Sequence, residues 1–312
     1  MKKIAYAALA LAVSAGSAVA ADLPSRKAPV LPPPPPLTWT GFYVGLNAGG
    51  LWSNNSSINN VAYGLYNAPG YPTFGTGNLA ALSATGNITG SSNSGFIGGG
   101  QIGYNWQVGN VGGLGFGSGF VTGIEADIQG IAGSTGQGNF FGAALGPAIV
   151  TPPPAFTYSP VTIARARQNL SYIGTVRGRL GFLAMPTLLV YGTGGLAYGG
   201  ANLNVAYATA DTSGIFGAGG ASTSYANTQV GWTAGGGLEW MVVPNWSVKA
   251  EYLYYDLGSV QASTVLAAPL PAGGANGFAY TTTASTRFNG NIVRAGVNYH
   301  FNWAAAPVVA KY

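Results

Sequence analysis

Cysteine is absent from this chain, so neither a disulfide framework nor a thiolate metal site is open to it. Histidine occurs once, as His300, which leaves no transition-metal site of a recognisable kind; no metal and no cofactor is expected. Charge is scarce too. Lys and Arg number 12 and Asp and Glu seven, only 6% of the chain. That is too few to coat the surface of a soluble protein of this length. The formal charge of +5 falls by two when Lys2 and Lys3 are set aside, so the balance gives no electrostatic reason to expect nucleic acid. Long apolar runs are missing as well. The stretch 180–210 is apolar, but its glycines and Pro186 break it into two strand-like pieces rather than one spanning helix.

What is present begins with an address. Lys2 and Lys3 precede an apolar run over 4–13, and small residues then end in Ala18-Val19-Ala20. This is the pattern of a cleaved secretory signal peptide over 1–20, which directs the chain to the periplasm. Residues 21–38 follow as a periplasmic leader, with five consecutive prolines at 32–36 that favour polyproline II.

Three short runs then carry charges two positions apart among apolar residues: Glu125/Asp127, Arg177/Arg179 and Lys249/Glu251. A spacing of two places both charges on one face of a strand and the apolar residues on the other. With so little charge overall, the apolar side is expected to face lipid and the charges an interior. Eight segments read as strands, near 39–51, 94–107, 119–131, 169–182, 187–199, 229–241, 246–257 and 288–301. Short turns lie at 108–118, 183–186 and 242–245; long polar stretches lie at 52–93, 132–168, 200–228 and 258–287. The alternation of short and long connections matches the two sides of an outer-membrane barrel. Hydrocarbon tolerates no open sheet edge, and an even strand count lets the last strand pair with the first. The expected fold is therefore all-β: an eight-stranded antiparallel transmembrane up-and-down β-barrel over 39–303, with short periplasmic turns, long extracellular loops and a tail at 304–312.

Threading the strands up and down collects Trp39, Trp106, Trp240, Trp246 and Trp303 at the short-turn end, as an aromatic girdle at one lipid–water boundary requires. The same alternation turns Glu125, Asp127, Arg177, Arg179, Glu239, Lys249, Glu251 and Arg294 inward. Four acids and four bases in so narrow an interior are expected to form a salt-bridged plug with at most a narrow water path. Catalytic use of these carboxylates is the sharper alternative, but the barrel already accounts for their spacing. Nucleophilic catalysis would need a serine beside an oriented histidine. His300 stands near the short-turn end, where it is expected to face the lumen or the boundary water. Arg165 and Arg167 before the fourth strand, and Arg287 before the eighth, fall near the outer rim. Arginine forks there suit lipopolysaccharide phosphates, though a solvated rim charge reads equally well.

The segments ADLPSRKAPVLPPPPP, WTGFYVGLNAGG, GFIGGGQIGYNWQ, FVTGIEADIQG, YIGTVRGRLGF, LLVYGTGGLAYGG, GWTAGGGLEW, VKAEYLYYDLG and VRAGVNYHF resemble, in that order, a family of alphaproteobacterial outer-membrane proteins. The family includes the major surface antigens of Brucella-like bacteria and the RopB-type proteins of rhizobia. The resemblance spans every strand and the leader but not the long stretches between. It implies a barrel related to the OmpA membrane domain, in the outer membrane, in contact with outer-membrane lipid, lipopolysaccharide and the barrel-assembly machinery. The expected role is envelope structure and surface antigen; a narrow porin and a loop-mediated adhesin or ligand binder are the alternatives. Members commonly end on an aromatic residue read during assembly; here Phe301 is expected to carry that signal, although 302–311 and Tyr312 follow it. Some similar proteins are joined to peptidoglycan through an Ala-Asp N-terminus, which would make Ala21 an attachment point.

Overall fold

The computed structural model describes residues 38–301, apart from 55–56, 67–74, 91–93, 109–118, 134, 145–147, 150–155, 158, 213, 215 and 270–275. The signal segment, nearly all of the leader, the tail, Ala21 and Trp303 lie outside the described residues, as does most of the turn expected at 108–118. In chain order the elements are β1 Gly41–Ser53, β2 Ser57–Tyr66, α1 Thr76–Ala84, β3 Gly86–Gly90, β4 Ser94–Val108, β5 Phe120–Ala132, β6 Thr135–Ala143, β7 Ala148–Ile149, β8 Phe156–Thr157, β9 Pro160–Met185, β10 Leu188–Asp211, β11 Gly219–Val243, β12 Trp246–Pro269 and β13 Asn276–His300.

Eight strands close a ring in the order β1-β4-β5-β9-β10-β11-β12-β13, and β13 returns to β1 with Val44 opposite Tyr299 and Ala48 opposite Ala295. Every pairing in the ring is antiparallel. Closure leaves no edge, which is what a lipid solvent demands. The side chains are inverted relative to a soluble fold: Leu46 is 73% exposed while Arg177 is 1%. Ile102, Ile124, Ile128, Val176, Leu180 and Leu238 likewise cover the outside.

At the short-turn end the observed strands begin and end within about three residues of the expected ones. Pro186 and Thr187 turn β9 into β10, and Pro244 and Asn245 turn β11 into β12. Asn245 takes the left-handed backbone (φ 70°) that such a turn needs, and its side chain donates to the His300 carbonyl at 2.7 Å. At the other end the strands run much further than expected. β9 starts at Pro160 rather than near 169, β10 continues to Asp211, β11 starts at Gly219, β12 continues to Pro269 and β13 starts at Asn276. Much of each stretch expected as loop is thus strand. There β2, β3 and β6 take over from β1, β4 and β5, pairing as β13-β2-β3-β6-β9.

This upper wall has one seam. β11 stays paired with β10 as far as Gly219, and β12 with β13 as far as Pro269, but β11 and β12 pair with each other only from Trp232 opposite Asp256 downward. Above that level Thr223 Oγ1 donates to the Ser263 carbonyl at 3.1 Å. The inward side chains of upper β11, Ala221, Thr223 and Tyr225, are only half-buried, whereas their β10 partners Tyr207, Val205 and Leu203 are buried.

The interior is stacked in three layers. Trp39, Val121, Leu183, Leu189, Tyr191 and Met241 pack across the short-turn mouth. A charged layer lies above them. Beyond it an apolar layer fills the extension, with Leu51, Ile97, Leu203, Tyr207, Leu253, Leu266, Phe278 and Tyr280 among its members. Helix α1 belongs to this layer. Its buried face is made of small residues, Thr76, Gly77, Ala80, Ala81, Ser83 and Ala84, which allow a helix to lie close against strands. Asn60 fastens it: Nδ2 donates to the Ala84 carbonyl, while Oδ1 accepts from Tyr207 (2.6 Å) and Thr282 (2.7 Å). Ser83 Oγ meets Thr162 Oγ1 at 2.8 Å, and Thr162 meets Tyr280 at 3.1 Å. Burial pushes the Tyr207 and Tyr280 phenols above their usual range, so both remain neutral at ordinary pH.

Candidate functional site

The eight charged residues expected inside the barrel meet in the charged layer. Strand register explains how. Glu125 stands opposite Arg177 across β5 and β9, Glu251 opposite Arg294 across β12 and β13, and Glu239 opposite Lys249 across β11 and β12. Opposite charges in facing positions attract at short range, so six of the eight become cross-strand pairs, while Asp127 and Arg179 face Thr175 and Gly123 and reach their partners diagonally or across the lumen. Room for them comes from glycines on neighbouring strands, Gly103 beside Glu125, Gly195 beside Arg177 and Gly49 beside Arg294. A Cβ on Gly195 would lie 2.2 Å from the Val176 carbonyl oxygen, and one on Gly49 2.1 Å from that of Val293.

Arg177 is the hub. Its Nη1 is 2.9 Å from Glu251 Oε1 and its Nη2 2.9 Å from Asp127 Oδ2; Nη2 also contacts Glu125, and Nε donates to Thr175 at 2.8 Å. Arg294 bridges Asp127 (2.8 Å) and Glu251 (2.5 Å). Lys249 Nζ donates to both oxygens of Glu125 at 2.9 Å. Arg179 reaches Glu239 at 2.6 Å and donates to the Tyr43 hydroxyl at 3.0 Å, which in turn donates to Glu125 at 2.7 Å. The Arg179 guanidinium also lies 4.0 Å from the Tyr191 ring centre. Sharing of this kind, with every carboxylate touched by at least one cation, is what makes buried charge tolerable.

Sequence reasoning named the charges of the layer and missed its neutral partners, among them Tyr43, Thr175, Ser247 and Asn298. Ser247 donates to Glu239 Oε1 at 2.6 Å and lies 2.9 Å from His300 Nε2, itself 3.3 Å from the same carboxylate oxygen. Asn298 adds a 2.7 Å bond to that oxygen. Serine, histidine and carboxylate are therefore together, but not as a relay. A relay needs the histidine to face the nucleophile with one ring nitrogen and the carboxylate with the other. Here Nε2 faces both, and Ser247 gives its proton to the carboxylate directly. All three residues are buried. Ser247 is two residues from Lys249 on β12, so inward parity would have found it.

Of the expected girdle, Trp106, Trp240 and Trp246 are half exposed on the outer wall at the short-turn end. Trp39 is not in it. It is 1% exposed, plugs the mouth of the lumen and donates its indole N–H to the Pro186 carbonyl at 3.1 Å. The reason is parity: Trp39 is two pairs of residues from Tyr43, an inward position, and proximity to the strand end misplaced it. Trp52 and Trp232 are half exposed at the opposite boundary. Phe301 donates its backbone N–H to Phe42 at 2.8 Å and packs edge-on to Tyr299. Arg165 and Arg167 point outward from β9 and Arg287 outward from β13, four strands round the ring, so the three are not gathered at one place.

A family model described as outer membrane protein beta-barrel domain matches residues 7–301. The chain belongs to that family. Within it, the 31 kDa outer-membrane immunogenic protein of Brucella melitensis biotype 1 is 33% identical over 303 residues, covering 96% of this chain and 100% of that protein. The 22 kDa outer membrane protein of Rhizobium leguminosarum bv. viciae is 29% identical over 163 residues, 52% of this chain and 53% of its own. Among solved structures, the outer membrane protein OprG from Pseudomonas aeruginosa aligns with 84% of this chain and 97% of its own at 11% identity, with a TM-score of 0.39 too low to carry anything further. Family membership fixes the surroundings: the barrel sits in the cell outer membrane, with its short turns in the periplasm and its long ends outside.

Proposed function

We propose that this outer-membrane barrel is a closed one, serving envelope structure and presenting a surface antigen rather than conducting solutes. The observation that carries the reading is the stacked lumen. A solute would have to displace the Trp39 plug, separate four acids from four bases, and then pass an apolar layer braced by α1. Removing one partner from a buried ion pair costs roughly 3–5 kcal/mol, so thermal opening of the whole layer is a rare event. The relatives named as immunogenic proteins support the antigen role, because the extended outer strands are the part of such a barrel an antibody meets. We read the protein as non-enzymatic, and the shared Nε2 geometry of Ser247, His300 and Glu239 supports that. Its partners are then outer-membrane lipid and lipopolysaccharide around the wall and the barrel-assembly machinery, which would read Phe301. Attachment to peptidoglycan through Ala21 remains an expectation outside the described residues.

A deletion strain tests the role. Under this reading it becomes more sensitive to detergent and to large antibiotics, while uptake of small sugars and amino acids is unchanged. Loss of uptake with an intact barrier would support the narrow porin instead.

A further inference from the structure

Charge is nearly missing from the described outer surface, and what remains has one sign. Every described carboxylate, Glu125, Asp127, Asp211, Glu239, Glu251 and Asp256, is buried. The exposed charges are Arg165, Arg167 and Arg287. Arg287 is neutralised, because its guanidinium contacts Asp256 through Nη2 and, at 3.2 Å, through Nε. Arg165 and Arg167 make no ion pair and no side-chain hydrogen bond among the described residues.

Register supplies their neighbours. Arg167 stands between Gln137 on β6 and Asn204 on β10; Arg165 stands between Asn139 and Ala206. Gln137, Asn139 and Asn204 are all exposed on the same outward face. Facing side chains in antiparallel strands lie about 5 Å apart, close enough for two of them to hold one tetrahedral anion. Tyr172, which hydrogen-bonds Thr228 at 2.7 Å, is the outward aromatic five positions nearer the membrane on the same strand. At about 3.3 Å per residue and a tilt of about 40°, Arg167 is on the order of 12 Å above it, and an arginine side chain reaches back toward the boundary. That is the level of glycolipid headgroups rather than of acyl chains or open water.

We propose that Arg165 and Arg167, with Gln137, Asn139 and Asn204 beside them, form a binding site for the phosphate groups of an outer-leaflet glycolipid. Two arginines two residues apart on one strand face present paired forks to phosphate oxygens, and adjacent amides supply neutral donors. With no exposed carboxylate among the described residues, none of them competes for the guanidinium groups on this face. The site depends on the outer-membrane placement and not on whether the lumen conducts.

The test uses full-length mature protein in nanodiscs, with diphosphoryl lipid A, its dephosphorylated form and inorganic pyrophosphate as probes. The R165Q/R167Q protein is expected to bind diphosphoryl lipid A about tenfold more weakly or worse, since two charge-assisted contacts are lost, while R287Q binds as the parent does. Dephosphorylated lipid A should bind weakly and equally to all three proteins. Equal binding of diphosphoryl lipid A by R165Q/R167Q and the parent would overturn the proposal, as would an equal loss in R287Q. Displacement of the lipid by equimolar pyrophosphate would also overturn it, in favour of a free-phosphate site. Heat-modifiable gel migration checks folding; if the double variant fails it, R165Q and R167Q singly must each weaken binding.

Discussion

Replacing Arg177 with glutamine removes one cation from a layer that holds four against four. Three carboxylates lose a partner: Glu251 and Asp127 at 2.9 Å, and Glu125 at closer range. None is left bare. Lys249 still holds Glu125 at 2.9 Å, and Arg294 still holds Asp127 at 2.8 Å and Glu251 at 2.5 Å. The cost is one uncompensated negative charge in a site closed to bulk solvent, and breaking a buried pair costs about 3–5 kcal/mol. The surviving contacts place R177Q at the lower end, about 3 kcal/mol. Glutamine at 125 as well restores neutrality, so the double variant R177Q/E125Q should be more stable than the sum of the two singles by about 1–3 kcal/mol. Reversible urea unfolding in lipid vesicles, followed by tryptophan fluorescence and the heat-modifiable gel shift, gives the three free energies. A loss in R177Q below about 0.5 kcal/mol, the size of an ordinary surface substitution, would refute the reasoning; so would strict additivity of the pair.

Trp39→Ala should destabilise the barrel by about 3–5 kcal/mol, the usual cost of removing a buried large aromatic, whereas Trp240→Ala on the outer wall should cost clearly less; unfolding midpoints compare them. Asn60→Ala removes the acceptor of Tyr207 and Thr282 and the donor to the Ala84 carbonyl, so a loss of about 2–3 kcal/mol is expected, together with faster proteolysis near α1 on intact cells. Upper β11 should be the weak point of the wall: its amides that face β12 across the seam should exchange faster than those of its β10 partners, and equal exchange would mean that the seam is not the weak point.

The lower half of the barrel was legible in residues 39–53 and their counterparts because charge and bulk alternate there. Glu125/Asp127 and Arg177/Arg179 cannot be placed on the lipid side, and that alone fixes parity for β5 and β9. The upper half hides the same period two. In 200–211 and 219–231 both faces are built from Ala, Ser, Thr, Asn and Gly, so inward Leu203, Val205 and Tyr207 are the few marks of a strand within a composition that reads as loop. Helix α1 was unreadable for a related reason: its buried face is alanine, glycine and serine, with no apolar stripe to announce it. Trp39 shows the opposite failure. Its parity with Tyr43 was available, but grouping tryptophans by strand end ignored which way each ring points. The two-residue turns at Pro186 and Pro244 were plain because proline and asparagine there have a direct conformational reason.

Single-channel recording in planar bilayers tests the closed lumen most directly. Native-folded protein, verified by its gel shift and inserted from vesicles, should add no reproducible conductance step, because three layers of side chains stand across the path. Steps of uniform size in the native protein, lost on prior heating, would contradict the closed-barrel account and make the charged layer the lining of a pore.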